Sequence, residues 1–77
     1  MKFKIYVKDY CPYCQRVMHY LDKNKISYEK VELSDKPDVY TALKKVTGHH
    51  TVPQIYLDDK FIGGSDDFAK FVAHNQL

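Results

Sequence analysis

The chain has no tryptophan, only three glycines and three prolines, and just two cysteines in 77 residues. No window approaches the ~20 consecutive apolar residues that a membrane-spanning helix needs, so no membrane partner is expected. No internal repeat, linker or low-complexity tract interrupts the sequence. Its opening, MKFKIYVKDY, carries three lysines and no unbroken apolar run, unlike a secretory leader. Two cysteines without such a leader point to a reducing compartment, and a cytoplasmic domain is expected. Charge of one sign is not gathered anywhere. Twelve basic and ten acidic side chains are interspersed to a net +2, with no basic tail, so nucleic acid is not an expected partner either.

What remains suits one small folded unit, taken as residues 1–77. Apolar residues make up 44% of the chain, enough for a core. Phe3, Ile5 and Val7 alternate with polar neighbours, the period of a strand. Pro12 suits the first position of a helix, and Cys14, Val17, Met18 and Leu21 then form one apolar stripe that stops near Asn24. Residues 26–33 read as a second strand. SDKPD supplies a turn and a helix start, and Val39, Ala42, Leu43 and Val46 give a second inward stripe, capped by Gly48. Residues 54–57 and 60–62 form a hairpin about Asp58-Asp59. Gly63-Gly64 breaks the chain, and Ser65-Asp66-Asp67 opens a last helix with Phe68, Phe71 and Val72 inward. The predicted class is α/β, in the order β-α-β-α-β-β-α. The first crossover makes a parallel pair and the hairpin makes the four-stranded sheet mixed, with helices covering it.

The two cysteines, in Tyr10-Cys11-Pro12-Tyr13-Cys14, have three conceivable uses. A structural staple gains little, because closing so short a loop is worth only about 2 kcal/mol. A zinc site needs four ligands, and the only nearby-looking candidates are His49 and His50, adjacent in sequence; a polar loop after a helix cap explains them as well. A reactive dithiol has positive support. With Pro12 at the first helical position, Cys11 sits at the cap, facing free N–H groups and the positive end of the helix dipole, with Lys8 nearby. These favour the thiolate, the nucleophilic form. Cys14 begins the apolar stripe and is expected to be shielded. Cys11 is therefore the candidate nucleophile and Cys14 the resolving thiol.

Four segments in order, Lys8-x-x-Cys11-Pro12-Tyr13-Cys14, Thr51-Val52-Pro53, the QIYLDD hairpin and Gly63-Gly64-Ser65-Asp66-Asp67, make the chain resemble the glutaredoxins of the dithiol class along nearly its whole length. The resemblance implies a compact thioredoxin-like fold and a glutathione-dependent thiol–disulfide oxidoreductase. Such an enzyme reduces protein disulfides and glutathione mixed disulfides, with glutathione as reducing co-substrate and no metal. Expected partners are glutathione and disulfide-containing or glutathionylated proteins, ribonucleotide reductase among the candidates, acting on a monomer. Two other readings exist: a redoxin fed by thioredoxin reductase, and a metal or iron–sulfur module bridged through Cys11.

The resemblance also assigns a glutathione site. Pro53 is expected to be cis, presenting the Val52 backbone to the cysteinyl part of glutathione, with Thr51 in the same loop. Ser65 and the helix start would hold the γ-glutamyl carboxylate, while Asp66, with Asp67 beside it, would accept from the glutamyl ammonium. Lys8 would pair with the glycyl carboxylate, and Tyr13 would shape the groove beside the disulfide. Tyr40, Lys44 and Lys45 are further neighbours without an assigned role.

Overall fold

Alternation on the first strand sets the architecture: Phe3, Ile5 and Val7 are buried while Lys4 and Tyr6 turn to the other face. The computed structural model describes residues 2–75. Its elements run β1 (Phe3–Val7), α1 (Pro12–Lys23), β2 (Tyr28–Glu32), α2 (Pro37–Thr47), β3 (Gln54–Leu57), β4 (Lys60–Gly63) and α3 (Ser65–Asn75), in the expected order. The sheet order is β2-β1-β3-β4. β1 pairs parallel with β2 and antiparallel with β3, and β3 pairs antiparallel with β4. Asp58 and Asp59 turn the hairpin with φ of 50° and 68°, the left-handed pair that matches strand twist.

One face of this sheet carries the core. Cys14, Val17 and Leu21 of α1 and Phe68 and Val72 of α3 close over Phe3, Ile5, Val7 and Ile55. Phe3 meets Phe68 and Phe71 edge-on, with ring centroids 5.8 and 6.3 Å apart. Each large side chain buried here is worth about 1.5–3 kcal/mol. α1 ends as its stripe does: Asn24 caps it, Lys25 takes the left-handed conformation, and the Ile26 N–H returns to Leu21 O at 2.8 Å. That return holds Ile26 in the helix cap, so β2 is shorter than the predicted 26–33. Leu33 still donates to Val7 O at 2.8 Å before the chain turns away.

The second helix departs from expectation. α2 lies against the opposite face, near Lys4, Tyr6 and Tyr56, and only Leu43 of its stripe is buried. Val39 is 42% and Val46 79% exposed. Periodicity placed these residues on one face correctly, but the sheet behind them is small and aromatic-polar, and it covers only the middle of the helix. Gly48 caps α2 at φ 70°, its N–H bonded to Lys44 O at 2.8 Å.

Candidate active site

The end of β1 delivers the chain to α1 through a strained step. Tyr10 is left-handed at φ 57°, and its side chain is 96% exposed. The Asp9 N–H is held by Ser34 Oγ at 2.9 Å, which fixes this segment to the loop after β2. Cys11 is then the N-cap of α1, extended at φ −100° and ψ 106°, with Pro12 following as the first helical residue. Its Sγ accepts the Cys14 N–H at 3.3 Å, and its thiol points to Val52 O at 3.8 Å. The sulfur therefore occupies the place a capping oxygen takes, where a negative charge meets free N–H groups and the helix dipole.

Cys14 is one turn in and fully buried, as its place on the apolar stripe predicted. Burial pushes its thiol up from an ordinary 9.0 to about 12, and the hydrogen bond with Cys11 adds to the effect. Both cysteines are free thiols. Their environments differ as the helical register requires: Cys11 is half-buried at a cap, Cys14 is enclosed in the core.

Val52 leads from Cys11 into a groove of about 610 Å³, a size suited to a small peptide-like ligand. Of the sequence-predicted residues, Lys8, Tyr13, Thr51, Val52, Ser65, Asp66 and Asp67 all line it. Pro53 lies beneath it, buried, and the Val52–Pro53 bond is cis. On one side the Lys8 ammonium stacks on the Tyr40 ring at 4.2 Å, and Lys44 reaches the same ring at 4.4 Å. Tyr40 in turn donates its hydroxyl to His50 O at 2.9 Å.

On the other side, Gly63 turns at φ 134°, and a Cβ there would overlap the Asp67 carboxylate. That carboxylate accepts the Gly64 N–H at 3.2 Å, while Phe68 N–H bonds Gly64 O at 2.9 Å. Asp67 thus makes the backward half of a capping box, fixing the turn, while Asp66, likewise exposed at the groove, has no part in that bond. The two aspartates divide tasks that the sequence treated together.

Three residues gain roles that sequence reasoning did not give them. Gln54, named there only as the start of a strand, is fully buried and satisfied on every side. Its amide nitrogen donates to His49 O and to Thr51 O, the latter at 3.1 Å, and Thr47 Oγ1 lies 2.9 Å from its Oε1. It ties down the loop that carries Thr51 and Val52. The available signal was a lone amide opening the apolar strand QIYL. Tyr40, left unassigned before, seats Lys8. His49 is half-buried with its Nε2 3.0 Å from Thr51 Oγ1, whereas His50 is exposed and contributes its carbonyl. Among the described residues, no three His, Cys, Asp or Glu side chains gather where one metal ion could be held.

The glutaredoxin family model matches residues 3–62. A glutaredoxin of Ricinus communis is 40% identical over 76 residues, covering 95% of this chain and 74% of that protein. Glutaredoxin-C4 of Arabidopsis thaliana is 41% identical over 69 residues, covering 86% of this chain but 51% of that protein. The chain thus spans between about half and three-quarters of the length of these relatives. Among solved structures, a buckwheat glutaredoxin–glutathione complex superposes with a TM-score of 0.89 at 33% identity, over 97% of this chain and 71% of that one. With a matching family model, relatives at 40% identity and the thiol pair at a helix cap, the chain belongs to the glutaredoxin family of thiol–disulfide oxidoreductases.

Proposed function

We propose that the protein is a glutathione-dependent disulfide reductase in which Cys11 is the nucleophile and Cys14 the resolving thiol. The observation that carries this is the placement of the Cys11 sulfur. It accepts an N–H at a helix cap and lies 3.8 Å from Val52 O, at the edge of a groove fitted with Lys8, Ser65 and Asp66. The buckwheat structure holds glutathione on the same fold, which supports assigning the groove to that peptide.

On a glutathionylated protein, the Cys11 thiolate attacks the glutathione sulfur and the protein thiolate leaves. A second glutathione thiolate then attacks the bound glutathione sulfur, giving glutathione disulfide and regenerating Cys11. On a protein disulfide, Cys11 attacks one sulfur and forms a mixed disulfide with it while the other leaves as a thiolate; Cys14 then attacks Cys11 and releases the bound sulfur. Two glutathiones reduce the resulting Cys11–Cys14 bond. With its thiol pushed to about 12, Cys14 stays protonated until it attacks, and the departing thiolate takes its proton. Cys14 therefore does not compete with Cys11 for substrate.

Glutathione lies in the groove with its cysteinyl backbone antiparallel to Val52, above Pro53 and beside Thr51. Its γ-glutamyl carboxylate meets the α3 N-terminus at Ser65, its ammonium meets Asp66, and its glycyl carboxylate meets Lys8. Tyr13, 55% exposed, walls the groove next to the reacting sulfurs. Asp67 acts by holding the turn. Every one of these contacts comes from a single chain, so the monomer suffices, and glutathione as electron donor implies a reducing, cytoplasmic setting. Protein substrates such as ribonucleotide reductase would present a disulfide to Cys11 from the open side. The test is steady-state reduction of a glutathione mixed disulfide coupled to glutathione reductase. Turnover that vanishes on Cys11→Ser is expected; no turnover, or turnover indifferent to that change, overturns the proposal.

A further inference from the structure

His49 is held from every direction at the junction of the two groove walls. Its N–H donates to Thr47 Oγ1 at 3.1 Å and its carbonyl accepts from the buried Gln54 amide, so its backbone is fixed. Its ring meets Phe61 of β4 edge-on at 5.9 Å between centroids. Nε2 lies 3.0 Å from Thr51 Oγ1 on one wall. On the other wall, a Cβ placed on Gly64 would stand 3.0 Å from the same Nε2 and 3.4 Å from Cε1, so the ring tip lies over the glycine turn and leaves little room for a side chain there. His49 also lines the groove itself. A half-buried imidazole that bonds one wall and abuts the other sets the distance between them.

We infer that His49 is a positioning residue that fixes the spacing between the Thr51–Val52 wall and the Gly64–Ser65 wall, and thereby the affinity for the γ-glutamyl-cysteinyl part of glutathione. The inference rests on the proposed glutathione site and names a determinant of its specificity. His49 does not touch the reacting sulfurs. Thr51 and Val52 would meet the cysteinyl unit, and Gly64 and Ser65 the glutamyl unit, so a change in spacing spoils simultaneous engagement of both. The glycine at 64 suits the same geometry: a Cβ there would crowd the imidazole, which would have to shift by a few tenths of an ångström.

Kinetics of glutathione mixed-disulfide reduction test this in four proteins: wild type, His49→Ala, Gly64→Ala and the double variant, with His49→Gln as the conservative replacement. His49→Ala is expected to raise KM roughly three- to tenfold, the size of one lost hydrogen bond, with kcat within about twofold. Gly64→Ala is expected to raise KM similarly by pushing the ring. The double variant is expected to be no worse than the poorer single one, because without the imidazole a side chain at position 64 has no ring to push. His49→Gln restores a polar group near Nε2 and is expected to recover a large part of the loss. Thermal melting and the alkylation rate of Cys11 are expected to move little in His49→Ala. An unchanged KM, a fall in kcat alone, or strictly additive single effects overturns the inference while the glutathione reading stands. A wild type without turnover overturns both.

Discussion

The interior under α1 and α3 and the rim of the groove are built by different physics. The interior is held by apolar area: Phe3, Ile5, Leu21, Ile55 and Phe68 interlock with almost no polar atoms among them. The rim is held by single directed bonds, Asp67 to Gly64, Gln54 to the loop carbonyls, Tyr40 to His50, each fixing a loop or turn to an element beside it. The two cysteines of one helical turn fall on opposite sides of this boundary. Cys14 takes its chemistry from the interior, where burial keeps it protonated, and Cys11 takes its chemistry from the rim, where a helix end and an open groove meet. Interior changes should therefore alter stability and spare the chemistry, while rim changes should do the reverse.

The largest expected effect is at the rim. Cys11→Ser should reduce glutathione-coupled turnover to background, yet leave the melting temperature unchanged or slightly higher, because serine is a good N-cap. A large loss of stability in that variant would break the division. Next comes the interior: Phe3→Ala should cost about 3–5 kcal/mol in denaturant unfolding, with turnover per folded molecule within about twofold of wild type. Gln54→Leu straddles the boundary. It strands the His49 and Thr51 carbonyls and should cost roughly 2–4 kcal/mol while also raising KM.

A pH dependence follows from Cys14. Its folded pKa of about 12 lies above its ordinary 9.0, so the folded state keeps a proton that the unfolded chain releases. The associated stability is full below about pH 9 and is lost as pH rises toward 12. Tyr28 and Tyr56, both shifted upward from 10.0 mainly by burial, act in the same sense above pH 10. Thermal melts of the reduced protein should fall as pH rises past 9, and Cys14→Ala should flatten the first part of that fall. The smallest expected effect is on the outer face of α2: Val46→Lys should change stability by about 0.5 kcal/mol or less and leave turnover untouched.

The interior was the more legible region. Strand alternation and helical periodicity identify Phe3, Ile5, Val7, Val17, Leu21, Phe68 and Val72, and the proline after Cys11 identifies the cap, because these signals are local and repeat. The resemblance to glutaredoxins added the cis bond at Pro53 and gathered Lys8, Thr51, Val52 and Ser65–Asp67 onto one groove. Periodicity could not say that α2 is half-covered, since it reports which residues share a face and not what lies opposite. The tasks of Gln54, Tyr40 and His49 were also hidden, because each rests on one bond to a backbone or side-chain group on another segment. Asp66 and Asp67 look alike in sequence, and only the turn at Gly63 and Gly64 separates them.

The unequal roles of the two thiols are tested most directly by mass spectrometry after exposure to oxidised glutathione, comparing wild type with Cys11→Ser and Cys14→Ser. A stable glutathione adduct on Cys11 is expected in Cys14→Ser, with little adduct on Cys14 in Cys11→Ser. Equal labelling of the two variants, or a Cys14 adduct that forms as readily as one on Cys11, would contradict the assignment.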